Sequence, residues 1–252
     1  MKINKDIILY DIETSYTVSA TWGLYDQNVA KVLREPFIIS IAHKLLGEKK
    51  TRVISIADFP LYKKDKFNDR DLVIYIHKLF SNVKISVAHN GNSFDYKWIN
   101  GRFAVHGLKP IPPIKNIDTL LVSRNKFKFN SNRLNDLGKY FNLGEKIQTG
   151  GIDLWYKCIE LGDKKSWSLM KKYNTQDVVL LEKVYLKLLP YITNHPNIGL
   201  MNQEIHSCPN CGSNNIQKRG FSYSRIGEYQ RWQCQDCSSW HQSLLSDESQ
   251  IR

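Results

Sequence analysis

The sequence predicts an α/β domain built on a mixed β-sheet flanked by helices, followed by a small cysteine-bearing tail. Two patterns carry this. Short apolar runs of strand character alternate with segments of helical spacing from the start to about residue 189. Beyond residue 192 that alternation stops, and the chain becomes aromatic and rich in cysteine. The 252 residues are 42% hydrophobic, enough for one large domain with an appendage.

The first strand covers residues 3–13, ending in "YDIE". "PFIISIAHKLL" (36–46) and "TRVISIAD" (51–58) read as two further strands, joined in a hairpin at Gly47-Glu48. "DRDLVIYIHKLFSN" (69–82) has helical spacing, with Leu72, Tyr75, Ile76 and Leu79 on one face. "KISVAHN" (84–90) is a short strand and precedes a helix over 93–105; "IKNID" (114–118) is another strand. Helices follow near 133–142 and 152–161, and a long one spans 166–189. "TNHPNIGLMNQEIHS" (193–207) reads as a linker. The expected organisation is therefore a domain over 1–192, a linker over 193–207 and a tail over 208–252.

The formal charge is +12. Residues 1–199 hold 31 Lys and Arg against 19 Asp and Glu, whereas residues 200–252 hold five of each. An excess of this size, confined to the larger part, points to a polyanionic partner, nucleic acid first. No window approaches the roughly 18 consecutive apolar residues of a membrane span, so no membrane partner is expected. The N-terminus lacks a signal-like apolar stretch. A cytoplasmic, reducing setting follows, in which five cysteines serve as metal ligands or thiols rather than disulfides.

Asp11 and Glu13 are two residues apart on a strand, so their side chains point to the same face. Two carboxylates so placed repel each other unless a cation lies between them. Asp95 in "NGNSFDYKW" lies just past a strand end, in the first turn of a helix, where acids complement the helix dipole. The long helix carries Met170, Tyr173, Asp177, Leu181, Val184 and Leu188 on one continuous face. Asp177 sits in the middle of that otherwise apolar face, one turn from Tyr173. A buried carboxylate must be paired, protonated or bound to metal. Four carboxylates converging from separate elements would hold two Mg²⁺ or Mn²⁺ ions, hard cations that prefer oxygen ligands.

These residues carry a resemblance. "DIE" (11–13), "NGNSFD" (90–95) and "YNTQD" (173–177) resemble the three motifs of DEDD-family 3′–5′ exonucleases, whose fold is RNase H-like. Tyr173 lies four residues before Asp177, as in the tyrosine subgroup. The histidine subgroup carries its histidine five residues before that Asp, where this chain has Lys172. The resemblance implies that Asp11, Glu13 and Asp177 bind one ion and that Asp11 bridges to a second held by Asp95. It further implies that Tyr173 orients the attacking water and that Asn90 touches the terminal nucleotide. A phenol near its ordinary pKa of about 10 is a poor base at neutral pH, so orientation suits Tyr173 better.

"CPNC" (208–211) and "CQDC" (234–237) are two C-x2-C pairs separated by 22 residues. Paired thiolates at this spacing suit one tetrahedral, structural Zn²⁺, and the first pair resembles a zinc-ribbon knuckle. In the second, Ser238 stands where Gly is frequent, which bears on turn geometry. The spacer allows a β-hairpin with Gly220 or Gly227 in turns. Lys218, Arg219, Arg225 and Arg231 alternate with Phe221, Tyr223, Tyr229 and Trp232. The basic groups suit phosphates; the aromatics suit either base stacking or the ribbon's own core. The fifth cysteine, Cys158, lies in an apolar helical context and reads as an inert buried thiol.

Three more stretches stand out. Trp22, in "TWGLYDQNV", suits stacking on a base but reads by default as a core residue. Lys126, Lys128 and Arg133 suit a phosphate backbone or a solvated face, and Asn132 suits a cap on the next helix. With the ribbon, these make nearly the whole chain resemble RNase H-like exonucleases of tailed bacteriophages. The implied activity is hydrolysis of single-stranded 3′ ends, DNA favoured, alongside replication or recombination proteins. Two alternatives share the evidence: a structure-selective endonuclease on the same fold, and a nucleic-acid-binding protein that no longer cleaves.

Overall fold

The computed structural model describes residues 4–25, 28–204 and 206–245. Ile3 at the expected start of the first strand, Asp26 and Gln27, Ile205 of the expected linker and the last seven residues of the tail lie outside the described residues. Those described group into two units, one drawn from 1–120 and 133–182, the other from 121–132 and 183–252.

The strands are β1 (Asn4–Thr14), β2 (Val18–Ala20), β3 (Lys31–Arg34), β4 (Ile38–Leu46), β5 (Arg52–Ser55), β6 (Ile85–Ala88), β7 (Lys115–Asp118), β8 (Ile216–Ser224), β9 (Gly227–Cys234) and β10 (Trp240–Leu244). The helices are α1 (Arg70–Phe80), α2 (Asp95–Val105), α3 (Thr119–Lys126), α4 (Leu134–Tyr140), α5 (Ile152–Ile159), α6 (Lys164–Leu188) and α7 (Ile198–Met201).

The first unit holds a mixed five-stranded sheet in the order β5-β4-β1-β6-β7. β4 and β5 pair antiparallel, as the hairpin at Gly47 predicts, and β1 pairs antiparallel with β4; β6 and β7 run parallel to β1. β1 is the central strand, and Ile7 to Tyr10 are buried on both of its faces, as a sheet covered on both sides requires. α1 turns Leu72, Val73, Ile76 and Phe80 inward, and the Phe80 ring meets Tyr10 edge-on at 4.8 Å. Asp69, just before α1, is fully buried and accepts from Arg102, His106 and the Ile38 amide. A buried charge so paired fastens β4, α1 and α2 together.

Several expectations are corrected. The third strand ends at Ser55, and residues 56–58 form a 3-10 turn instead. The short β2–β3 arm and helix α3 have no counterpart in the periodicity reading. Trp22, read as core, is 92% exposed beside the arm, with Leu24 also exposed. Arg133, not Asn132, is the N-cap of α4; Asn132 instead accepts from Ser123 Oγ at 2.6 Å. Cys158 is buried, and that burial pushes its thiol up to about 12, an inert state as expected.

In the second unit, β10-β9-β8 form an antiparallel three-stranded sheet. Trp232 is buried and donates its Nε1–H to Ser243 Oγ at 2.9 Å, so this aromatic belongs to the ribbon's core. Phe221 and Tyr223 are exposed. Gly220 is not in a turn: it has φ 72° inside β8, where the register with β9 slips, a bulge glycine. Gly227 opens β9 directly after the turn. The stretch read as linker contains α7, whose Ile198 amide donates to Pro209 O at 2.7 Å. Among the described residues, no helix is long and apolar enough to cross a membrane.

Candidate active site

β1 and α6 bring three of the predicted acids together. One oxygen from each of Asp11, Glu13 and Asp177 lies within 4.8 Å of the others. Asp11 and Glu13 share a face of β1 because they are two residues apart. Asp177 reaches them from the inward face of α6. The fourth acid, Asp95, is the first residue of α2 and is buried; its Oδ1 accepts from the Ile12 amide at 3.1 Å, between Asp11 and Glu13.

The turn that delivers Asp95 is built from close approach. Asn90 has φ 68°, a conformation few side chains adopt. A Cβ on Gly91 would sit 2.6 Å from Ala88 Cβ, so only glycine fits there. Asp118, at the end of β7, accepts from the amides of Asn90, Asn92 and Leu120 at 2.9, 3.1 and 3.0 Å. Asn90 thus enters the site region through its backbone.

Burial and mutual repulsion dominate the electrostatics. Burial, followed by Glu13, Asp95 and Asp177, holds Asp11 well above the usual carboxylate range. Burial and then Asp177 push Glu13 up to about 8, and burial pushes Asp95 up to about 7. Asp177 is also raised by burial. Burial, then Asp177, Glu13 and Asp11, raises the Tyr173 phenol far above its ordinary value. Tyr173 therefore keeps its proton at neutral pH.

Three neighbours escape the sequence reading. Lys146 Nζ lies 2.7 Å from Asp177 Oδ2; burial opposes its charge, but Asp177 and Asp11 raise its pKa. Asn174 Nδ2 donates to Asp11 Oδ2 at 2.7 Å and to the Asp11 carbonyl, while its Oδ1 accepts from Ser40. Trp155 donates to Thr14 O, and its ring meets that of Tyr173 at 6.1 Å. Asn174 was findable, since it lies on the inward face of α6 four residues after Met170. Lys146 was not, since its loop has no periodicity.

The donor set fits hard divalent cations. It is oxygen-rich, crowded and short of positive charge: Lys146 occupies one oxygen of Asp177, and Oδ1 of that carboxylate is buried with no hydrogen bond among the described residues. This has a measurable pH consequence. The folded values of Asp11, Glu13 and Asp95 lie above the unfolded ones, so their stabilising contribution is full at low pH and is lost as pH rises, through about 7 for Asp95 and about 8 for Glu13. His43, lowered by burial to about 4, and His195 and His241, also lowered by burial, act in the opposite sense, but that gain ends once the unfolded imidazoles lose their protons, a little above about 6.5. Without divalent ions, the melting temperature is expected to fall between pH 6.5 and 8.5, and Mg²⁺ should raise it more at pH 8.5. Equal shifts at both pH values would count against the crowded cluster.

The second cluster is the four cysteines. Cys208 and Cys237 Sγ are 3.6 Å apart, as are Cys211 and Cys234, and all four lie within 4.8 Å of one another. Tetrahedral metal–sulfur bonds of about 2.3 Å give edges of about 3.8 Å, so these four cysteines fit a zinc site. The two knuckles repeat one geometry. The amides of Gly212 and Ser238 donate to the Cys208 and Cys234 carbonyls at 2.8 and 3.0 Å. Gly212 has φ 71° and Ser238 φ 64°, the left-handed region in which a side chain costs about 1 kcal/mol. Ser238→Gly is therefore expected to stabilise the ribbon by about 1 kcal/mol, read as a higher melting temperature of the zinc-loaded protein. An unchanged or lower value would refute the strain.

The remaining predicted residues are spread out. Lys126 ends α3 and is exposed; Arg133 caps α4 and is exposed. Lys218, Arg219, Arg225 and Arg231 lie on or between β8 and β9; Lys218 stands 5.3 Å from the Trp232 ring centroid and Arg231 5.8 Å from that of Trp240.

The family model of the RNase_H superfamily matches residues 37–189. The chain belongs to the RNase_H superfamily. The matched span of this RNase_H member contains Asp95, Tyr173 and Asp177, while Asp11 and Glu13 precede it. A PolC-type DNA polymerase III of Ureaplasma parvum is a distant relative, 28% identical over 209 residues. That alignment takes in 78% of this chain but only 14% of the polymerase's length. The family B DNA polymerase of the hyperthermophilic archaeon Pyrobaculum calidifontis superposes at a TM-score of 0.48 and 15% identity, over 89% of this chain and 31% of its own.

Proposed function

We propose that this RNase_H superfamily protein is a metal-dependent 3′–5′ exonuclease of the DEDD tyrosine subgroup, acting on single-stranded nucleic acid ends. The observation that carries the reading is the convergence of Asp11, Glu13 and Asp177 within 4.8 Å, with Asp95 tied to the strand between the first two.

Asp11, Glu13 and Asp177 would hold one Mg²⁺ or Mn²⁺ ion, and Asp11 with Asp95 a second. Two such ions neutralise the carboxylates and stabilise charge on the attacking and leaving oxygens of a phosphodiester. The protonated Tyr173 hydroxyl positions the attacking water by hydrogen bonding rather than by taking its proton. Asn174 holds the Asp11 carboxylate in place, and the Trp155 ring supports that of Tyr173.

Residues 1–192 form the exonuclease domain, 193–207 the linker and 208–252 a ribbon on a structural Zn²⁺. Asn90, Lys126, Arg133, Lys218, Arg219, Arg225 and Arg231 contact the substrate. DNA is favoured because the motif resemblance leans that way and the PolC-type relative is a DNA polymerase by name. The wider resemblance to tailed-bacteriophage exonucleases suggests a host cytoplasm as the setting and replication or recombination proteins as companions.

A product-length time course on end-labelled DNA and RNA oligonucleotides with Mg²⁺ tests this. Stepwise release of mononucleotides from the 3′ end supports it. Cutting of a closed circular substrate would replace it with an endonuclease.

A further inference from the structure

We propose that a cleft in the second unit, between the segment around residues 190–200 and the ribbon sheet, binds one nucleotide of a single strand. Trp240 would stack on its base and Arg231 would hold its phosphate. The inference rests on the nucleic-acid reading above and gives it a place.

The cleft has a volume of about 670 Å³, within the range of small-ligand sites. Its lining includes Arg231, His195 and His241, and no carboxylate among the described residues. Trp240 is 53% exposed although tryptophan is usually well covered. The register explains why. Gln242 pairs with Arg231 across β9 and β10, and Trp240 pairs with Gln233. Trp240, Gln242 and Arg231 therefore share one face, with Trp240 and Arg231 on a diagonal. Trp232, offset by one position, turns to the buried side.

The Arg231 guanidinium stands 5.8 Å from the Trp240 ring centroid, a cation–π contact that holds both groups in place. Arg231 makes no salt bridge among the described residues. An aromatic plane, an adjacent cation and no opposing acid match a base and its phosphate. An acidic peptide would satisfy Arg231 but leave the indole face without a planar partner.

The test is binding of a fluorescently labelled dT15 strand to the full chain in zinc-replete buffer without added Mg²⁺. Trp240→Ala is expected to weaken binding roughly tenfold, the scale of one stacked base, and Trp240→Phe to restore most of it. Arg231→Gln should weaken binding and lower the slope of log affinity against log salt by about 1. Zinc content and melting temperature check folding; if Trp240→Ala loses zinc, Trp240→Phe and Arg231→Gln decide. Affinity unchanged in both Trp240→Ala and Arg231→Gln overturns the cleft. A wild-type protein that binds through Trp240 yet releases no nucleotide with Mg²⁺ keeps the cleft and removes the exonuclease reading. Hydrolysis by a wild type whose binding ignores Trp240 does the reverse.

Discussion

Asp11→Asn is expected to lose Mg²⁺-dependent mononucleotide release by roughly a thousandfold or more while melting at a higher temperature than the wild type in Mg²⁺-free buffer. Both effects come from one carboxylate. Asp11 is the acid on which burial and three like charges act together. Asparagine removes the charge and keeps the shape, and its Oδ1 can still accept from Asn174 Nδ2. The repulsion that Asp11 exerts on Glu13, Asp95 and Asp177 is then removed. The bridging ligand is lost as well, and with it several kcal/mol of transition-state stabilisation. Asp177→Asn should lose activity similarly but gain less stability, because it also breaks the ion pair with Lys146. Steady-state rates on a 3′-labelled strand and melting curves without Mg²⁺ test the pair. Activity retained in both variants would end the exonuclease reading, and a lowered melting temperature for Asp11→Asn would contradict the electrostatics.

The second large effect concerns zinc. Stripping it with a strong chelator, or replacing Cys211 or Cys234 with serine, is expected to unfold the three-stranded ribbon. Cysteine-rich zinc sites supply on the order of 10 kcal/mol to folding. The ribbon's core is small: Trp232 is its large buried aromatic, beside Cys208 and Cys234. Removing the ion would leave four thiols crowded at 3.6 to 4.8 Å with nothing to hold them there. Tryptophan emission should shift to the red as Trp232 meets water, and elemental analysis should find one zinc per chain beforehand. A metal-free protein with unchanged emission would show that the knuckles close without it.

Much of this was legible in the sequence because periodicity and charge agreed there. A carboxylate inside an apolar helical face marked Asp177, and two acids on one strand face marked the end of β1. The C-x2-C pairs read themselves. What was missed has physical reasons. The β2–β3 arm pairs over a few residues with no buried face, so it leaves no alternation to find. Residue type alone favours the core for Trp22, yet type does not fix burial. Lys146 reaches Asp177 from an irregular loop. Asp118 read as the end of a strand, and only the fold reveals three amides closing on its carboxylate.

Those three amides have a further implication. Two of them, those of Asn90 and Asn92, anchor the limb carrying Asp95 to an edge strand whether or not any ion is present. That limb is preorganised, and its ordering entropy is spent during folding rather than at capture of the cation. Affinity for the ion on that side then reflects charge and ligand geometry, with little conformational penalty to subtract.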